Sequence, residues 1–247
     1  MTILYAMKID FTKLPRLYTD APLKDGGDVV LTHDQVHYLK NVLRRSEGQP
    51  VRMFNERDGE WVCTLKVLSK KIGLADIDQN MREPEPAGRD IHLFFAPIKK
   101  TRMDWLIEKS VELGVTHLHP VLTQNTEVRE INMDRITQQI LEAAEQCERL
   151  NIPTLHKPIR LQNIPGAFPE MKILACVERL DDAQPIRACI ADGGGAVACL
   201  IGPEGGFTEK EATWITARPE FTPVSLGSTI LRAETAAIAV LSRIMLS

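Results

Sequence analysis

Two short segments near the C-terminus combine residue types that could hold a small ligand. Leu200-Ile-Gly-Pro-Glu-Gly-Gly-Phe-Thr208 places three glycines and a proline within five residues. Glycines allow a ligand to approach the main chain closely, and the amides of a helix start leave free donors for polar ligand atoms. Ser225-Leu-Gly-Ser-Thr-Ile-Leu-Arg-Ala-Glu-Thr-Ala236 interleaves apolar Leu226, Ile230 and Leu231 with hydrogen-bonding groups. Such alternation suits a flat heterocycle such as adenine, with apolar side chains over its faces and backbone groups at its edge. Either segment alone reads equally well as a tight turn with structural glycines. Two of them in one third of the chain favour a ligand site.

Other chemistries lack their residues. There is no G-x-x-x-x-G-K-[ST] phosphate loop, no G-x-S-x-G nucleophile elbow and no H-E-x-x-H. A dinucleotide fold would carry glycines after the first strand of its α/β domain, where Phe95-Ala-Pro-Ile-Lys-Lys-Thr-Arg-Met103 has none. The Gly193-Gly194-Gly195 run precedes a strand and reads as a loop. Five widely spaced cysteines, without C-x-x-C, argue for free thiols in a reducing compartment and against a metal site. The start, Met1 to Phe11, lacks the features of a signal peptide, and no run approaches a membrane span. The expectation is a cytoplasmic protein without metal.

The elements that must position the two segments follow from hydrophobic pattern. From residue 90 onward, apolar strands alternate with helices: strands at 91–96, 118–122, 172–177, 197–201 and 221–226, helices at 102–113, 133–150, 182–190 and 233–246. Val197–Ile201 is wholly apolar, as strands covered on both faces tend to be. Thr208-Glu-Lys-Glu211 has the spacing of a capping box. The alternation predicts an α/β domain with a parallel sheet. Residues 1–75 instead show short β-rich runs, with one helix starting near Thr32 and covering 35–43, and predict a compact β-barrel. Residues 76–89, polar and proline-bearing, read as a linker. The charge changes at the same place: 1–75 hold 12 Lys and Arg against 9 Asp and Glu, whereas the whole chain of 247 residues has net charge −3.

The chain resembles the bacterial 16S ribosomal RNA (uracil-N3)-methyltransferases of the SPOUT, or trefoil-knot, superfamily. The resemblance is carried by Ile201-Gly-Pro-Glu-Gly-Gly-Phe207 and Leu226-Gly-Ser-Thr-Ile-Leu-Arg-Ala-Glu-Thr-Ala236. Lys109–Val115, Glu142–Cys147 with Arg149 and Pro153, and His37–Arg44 add to it, so that nearly the whole chain is covered. It departs from the family's usual residues at Thr229 and Ile136. The resemblance implies an N-terminal PUA-like β-barrel for RNA, a knotted C-terminal domain binding S-adenosyl-L-methionine, and a homodimer acting on 16S rRNA within the small ribosomal subunit. Neither a membrane nor a metal is implied. Cofactor-binding residues would be Leu200, Ile201, Gly202, Pro203, Glu204, Gly205, Gly206, Leu226, Gly227, Ile230, Leu231 and Thr235.

Methylation at uracil N3 requires loss of a proton that is mostly bound at neutral pH. Arg232 would stabilise the charge developing on the uracil oxygens, and Glu234 would pair with it or accept the proton. Glu204 is a second carboxylate candidate. The alternative for Arg232 and Glu234 is an ion pair with structural worth only. RNA-facing candidates are Arg16, Lys40, Arg44, Arg45 and Arg52 in the barrel, extended by Lys99, Lys100 and Arg102. His117, His119, Trp61 and Trp105 read as structural. A non-catalytic RNA-binding protein and a small-molecule enzyme are the competing classes. The two intact loops argue against the first, and the basic N-terminal piece against the second.

Overall fold

The computed structural model describes residues 10–86, 88–128, 130–178, 180, 183–190 and 195–247. Most of the segment read for a signal peptide lies outside this set, as do Gly193 and Gly194 of the glycine run. Two compact units are present: Met1–Pro86 with Glu148–Asn151, and Ala87–Cys147 with Ile152–Ser247.

The first unit is a curled five-stranded sheet. Its strands are β1 (Arg16–Tyr18), β2 (Asp28–Val30), β3 (Pro50–Asn55), β4 (Gly59–Leu68) and β5 (Gly73–Arg82), in the order β1-β3-β4-β5-β2. Three register shifts along β4 and β5 mark local irregularities of the kind that bend a strand. Gly59 turns β3 into β4 at φ +81°, and a Cβ there would lie 2.0 Å from the Arg82 carbonyl oxygen, so only glycine fits. Alternate residues Val51, Met53, Cys63, Leu65, Ala75 and Ile77 form the core. Helix α1 (His33–His37) begins with a capping box on Thr32 and continues as a π-type turn over Tyr38–Val42.

Two expectations fail here. Strand β5 runs to Arg82, so 76–82 are not linker. Their polar side chains answer to the neighbouring strand: Thr64 donates to Asp78 at 2.7 Å, and Lys66 pairs with Asp76 at 2.8 Å. Arg16 and Arg52 do not face solvent, each being only 6% exposed. Both converge on Glu60, itself 0% exposed, at 3.1 Å, and Arg82 joins them at 3.3 Å. Arg16 also lies over the Phe54 ring, and Arg52 reaches Glu148 at 2.7 Å. A buried carboxylate is tolerable only when its charge is compensated and its lone pairs are filled, which the guanidiniums accomplish.

The second unit is an α/β layer structure. Its strands are β6 (Ile91–Phe95), β7 (His117–Leu122), β8 (Thr154–Leu155), β9 (Ile159–Arg160), β10 (Ile173–Cys176), β11 (Gln184–Pro185), β12 (Val197–Ile201) and β13 (Phe221–Ser225). They lie in the order β11-β13-β10-β12-β6-β7-β8, with β9 also on β7, and every pairing is parallel. Helices α2 (Lys100–Glu112), α3 (Met133–Gln146) and α7 (Ala233–Met245) contribute to one core cluster with Leu93, Phe95, Cys199 and Ile201. The short α4 (Ile164–Ala167) and α6 (Glu209–Thr216) contribute to another with Phe94, Ala198 and Leu200. Successive residues of β12, and Leu93, Phe94 and Phe95 of β6, thus enter alternate clusters, which explains why both faces of these strands carry apolar side chains.

Gly114 follows α2 at φ +86°, as its place at the helix end suggests. Helix α3 stops at Gln146 rather than Leu150, and Glu148 adopts φ +60°. The helix expected over 182–190 is only α5 (Ile186–Cys189), preceded by β11; Asp182 lies outside the described residues. Ala233, Ala236 and Ala237 of α7 are buried in their own unit's core. Trp105 is 61% exposed and so is not a core residue.

Sequence pattern alone gave no sign of a histidine stack in this sheet. His92 on β6, His117 and His119 on β7, and His156 after β8 form it, with ring centroids 4.2 Å apart for His92–His117 and 4.0 Å for His119–His156. Ring nitrogens meet at 3.0 Å between His92 and His119, and again between His117 and His156. Burial and the neighbouring imidazoles push His119 down to about 2 and His92 down to about 4, so both are neutral. Among the described residues, no group of three His, Cys, Asp or Glu side chains could hold a metal ion, and no helix is long and apolar enough to cross a membrane.

Candidate active site

The carboxyl ends of β13, β10 and β12 lie side by side in the second unit. The three loops that leave them, after Ser225, Cys176 and Ile201, surround a cavity of about 830 Å³. Parallel sheets place ligands at such strand ends because loops there converge over helix starts. A cavity of this size falls within the range that holds a cofactor-sized molecule.

Each loop is held by its own chemistry. Pro203 accepts a backbone bond from Gly206 at 2.9 Å, closing the 202–206 turn, and Gly206 takes φ +68°. The Thr208 hydroxyl accepts from the Glu211 amide, and the Glu211 carboxylate accepts from the Thr208 amide, completing the expected cap on α6. Asn125 braces the loop from outside by donating to the carbonyls of Gly205 and Gly206 at 3.3 and 3.0 Å. A Cβ on Gly202 would sit 2.8 Å from the Phe207 ring, whereas one on Gly205 would make only ordinary contact with Asn125 at 3.5 Å. The bare main chain at Gly205 is therefore not required by packing and leaves room for a ligand. In the last loop Gly227 has φ +127° and lies against open space.

Of the residues expected to bind a cofactor, Ile201, Gly202, Pro203, Glu204, Gly205, Gly206, Leu226, Gly227, Ile230 and Leu231 line this cavity. Leu200 is wholly buried, with the other core cluster, and Thr235 is exposed on α7; neither lines it. The sequence reading missed the loop after β10, which contributes Val177, Glu178, Leu180 and Ala183. That loop has no glycine signature, and only its place beside β12 and β13 reveals it.

Charged groups on the wall are arranged differently from expectation. Arg232, the residue before α7, lines the cavity, is exposed, and makes no ion pair among the described residues. Glu234 does not pair with it. Glu234 is 6% exposed, its Oε1 lies 3.9 Å from Arg102 Nε, and its Oε2 has no hydrogen-bond partner. Arg102 meanwhile donates to Glu204 at 2.6 Å. Arg102, expected on an RNA surface, is thus a wall residue of the cavity that links Glu204 to Glu234. Lys99 is exposed and pairs with Glu127 at 3.1 Å, and Lys100 is exposed. In the first unit Arg44 is exposed, Arg45 half-buried, and Lys40 half-buried with its ammonium on the Leu68 carbonyl at 2.9 Å.

Comparison with known proteins agrees with this architecture. Residues 84–245 match the family described as RNA methyltransferase domain, and residues 31–78 match the RNA methyltransferase PUA domain. Ribosomal RNA small subunit methyltransferase E of Rickettsia conorii is 30% identical, over 95% of this chain and 96% of its own. The Synechocystis protein of the same name is 32% identical over 87% of this chain and 72% of its own. Among solved structures, ribosomal RNA small subunit methyltransferase E from Neisseria gonorrhoeae, bound to S-adenosyl methionine, superposes with a TM-score of 0.83. It is 29% identical, and the match covers 94% of this chain and 97% of that one. Fold and site together define an α/β methyltransferase joined to a PUA-type sheet. The chain belongs to the RNA methyltransferase family, and its relatives over nearly full length are the small-subunit rRNA enzymes.

Proposed function

We propose that this protein methylates N3 of a specific uridine in 16S rRNA, within the small ribosomal subunit and in the cytoplasm, with S-adenosyl-L-methionine as methyl donor. The observation that carries this reading is the cavity at three adjacent strand ends with Arg232 on its wall, whose guanidinium makes no ion pair among the described residues. The cavity fits the cofactor: bare main chain at Gly205 and Gly227 admits close approach, and Leu226, Ile230 and Leu231 offer apolar cover for a heterocycle. Bound there, S-adenosylmethionine supplies an electrophilic methyl group.

The protein's own residues supply positioning and charge. Uracil becomes anionic at N3, O2 and O4 as its N3 proton passes to solvent water, and a planar guanidinium answers that charge in a bidentate way. Arg232 is free to do so because its expected partner, Glu234, is turned to Arg102 instead. Glu234 acts by holding Arg102, and through Arg102 the Glu204 carboxylate of the glycine loop. Lys40, Arg44, Arg45, Lys99 and Lys100 hold RNA phosphates, and the active species is a homodimer. The test is incubation of the purified protein with labelled cofactor and small subunits from cells lacking it, followed by nucleoside analysis. A single N3-methyluridine is expected; methyl transfer to another atom, or none, would refute the assignment.

A further inference from the structure

A second cavity, of about 470 Å³, lies in the same unit, and its wall includes Gln124 and Thr126, the two neighbours of Asn125 in the chain. Its wall carries Arg160, Lys210, Gln124, Gln162, Glu211 and Trp214. Arg160 and Lys210 are exposed and make no ion pair among the described residues. Glu211 does not neutralise them by direct pairing, because its Oε1 accepts from the Gln124 amide at 2.8 Å and its Oε2 from the Thr208 amide at 3.0 Å. Nor are the two cations loosely mounted. Arg160 sits in β9, in register with Leu122 of β7, and Lys210 sits in the first turn of the capped α6. Two cations without an ion pair among the described residues, with two side-chain amides around one concavity, form a receptor for anionic oxygens.

We infer that this cavity binds a phosphate-bearing stretch of the RNA substrate beside the target uridine. The inference deepens the proposed function and rests on it. The wiring to the first cavity gives the placement a purpose. Gln124 and Asn125 are consecutive: one amide is fixed by Glu211 of α6, and the other residue's side chain grips the carbonyls of Gly205 and Gly206. A strand seated on Arg160 and Lys210 is thereby held in fixed register with the glycine loop. Positioning of this kind is a large part of what an enzyme contributes when the reacting groups lie on two molecules.

The test uses the full chain carrying Arg160→Gln and Lys210→Gln together, with a small-subunit rRNA fragment spanning the methylated uridine. Binding is measured across a salt series, with cofactor affinity and melting temperature followed in parallel. Releasing two phosphates of a single strand lowers the logarithmic salt slope by about 1.4, or roughly 25-fold weaker binding at 0.1 M salt. Cofactor affinity and melting temperature stay at parental values, and Arg160→Lys with Lys210→Arg restores the slope. An unchanged slope in a parent-like folded variant overturns the inference. So does a loss of cofactor affinity of the same size, which would make the pair a brace for the glycine loop. If the parent protein itself neither binds nor methylates the RNA, the underlying functional reading fails instead.

Discussion

Acidification from pH 8 to pH 5 will cost the second unit about 4 kcal/mol of folding free energy through two histidines. In the folded chain His119 is 1% exposed and His92 9% exposed, and neither can expel its neighbours to become hydrated. Burial, then the charges of adjacent imidazoles, push His119 down to about 2 and His92 down to about 4. In the unfolded chain both titrate near 6.5. At pH 8 neither state binds a proton at these sites, so their full contribution is present. As pH falls below about 6.5, the unfolded chain takes up protons that the folded one refuses, and the balance shifts toward unfolding. At pH 5 each histidine accounts for about 2 kcal/mol, and the unfolded chain binds nearly two more protons than the folded one, so stability falls steeply with further acidification. His156, also pushed down by burial and by His117, acts with the same sign. The lowered carboxylates Asp10, Asp58, Asp104 and Glu148 begin to matter only at lower pH, because their ordinary values lie below 5. Urea titration at pH 8, 7, 6 and 5, followed by circular dichroism, reads the slope directly. His119→Phe keeps an aromatic ring in the stack but cannot titrate, and it will remove about half of the dependence. A flat profile from pH 7 to 5, or an undiminished slope in His119→Phe, would refute the argument.

Other outcomes follow from the same geometry. Arg232→Ala will lower turnover by about 10²–10³-fold, as loss of one donor to a developing anion does elsewhere, while calorimetry finds cofactor affinity unchanged; Arg232→Lys will recover only part. Gly205→Val will abolish cofactor binding, and Gly205→Ala, whose Cβ meets only ordinary contact with Asn125, will weaken it with the melting temperature near the parental value. Glu60→Gln will destabilise the first unit by about 3–5 kcal/mol, seen as a lower urea midpoint, because buried guanidiniums lose their counter-charge. Replacing Lys40, Arg44 and Arg45 together by glutamine will flatten the salt dependence of RNA binding by roughly 0.7–0.9 for each phosphate no longer held, with cofactor affinity unaltered; an identical slope would show that RNA is held elsewhere.

The parts of this protein that its sequence determined by itself are those governed by neighbours along the chain. The apolar run Val197–Ile201 became a strand with the same ends, and Thr208 and Glu211 became a reciprocal cap, because both depend on side chains a few residues apart. The turn residues of the two ligand loops were legible for the same reason: Gly206 and Gly227 occupy backbone conformations that side chains disfavour. What tertiary structure decided are the pairings between distant residues. Nothing local distinguishes buried Arg16 and Arg52 from exposed Arg44; the difference is Glu60, which the β1-β3-β4 pairing brings within reach of both. Glu234 lies two residues from Arg232 yet answers to Arg102, because the turn into α7 separates close neighbours in sequence and brings α2 alongside. The mostly polar segment 76–82 became strand because β4 offered an open edge and the core a place for Ile77, and a ladder of backbone bonds outweighs weak local propensity. The four histidines, scattered over 65 positions, met only when β6, β7 and β8 aligned in parallel. Sequence pattern reports which face a residue prefers, but register and strand order choose its partner, and partners set charge.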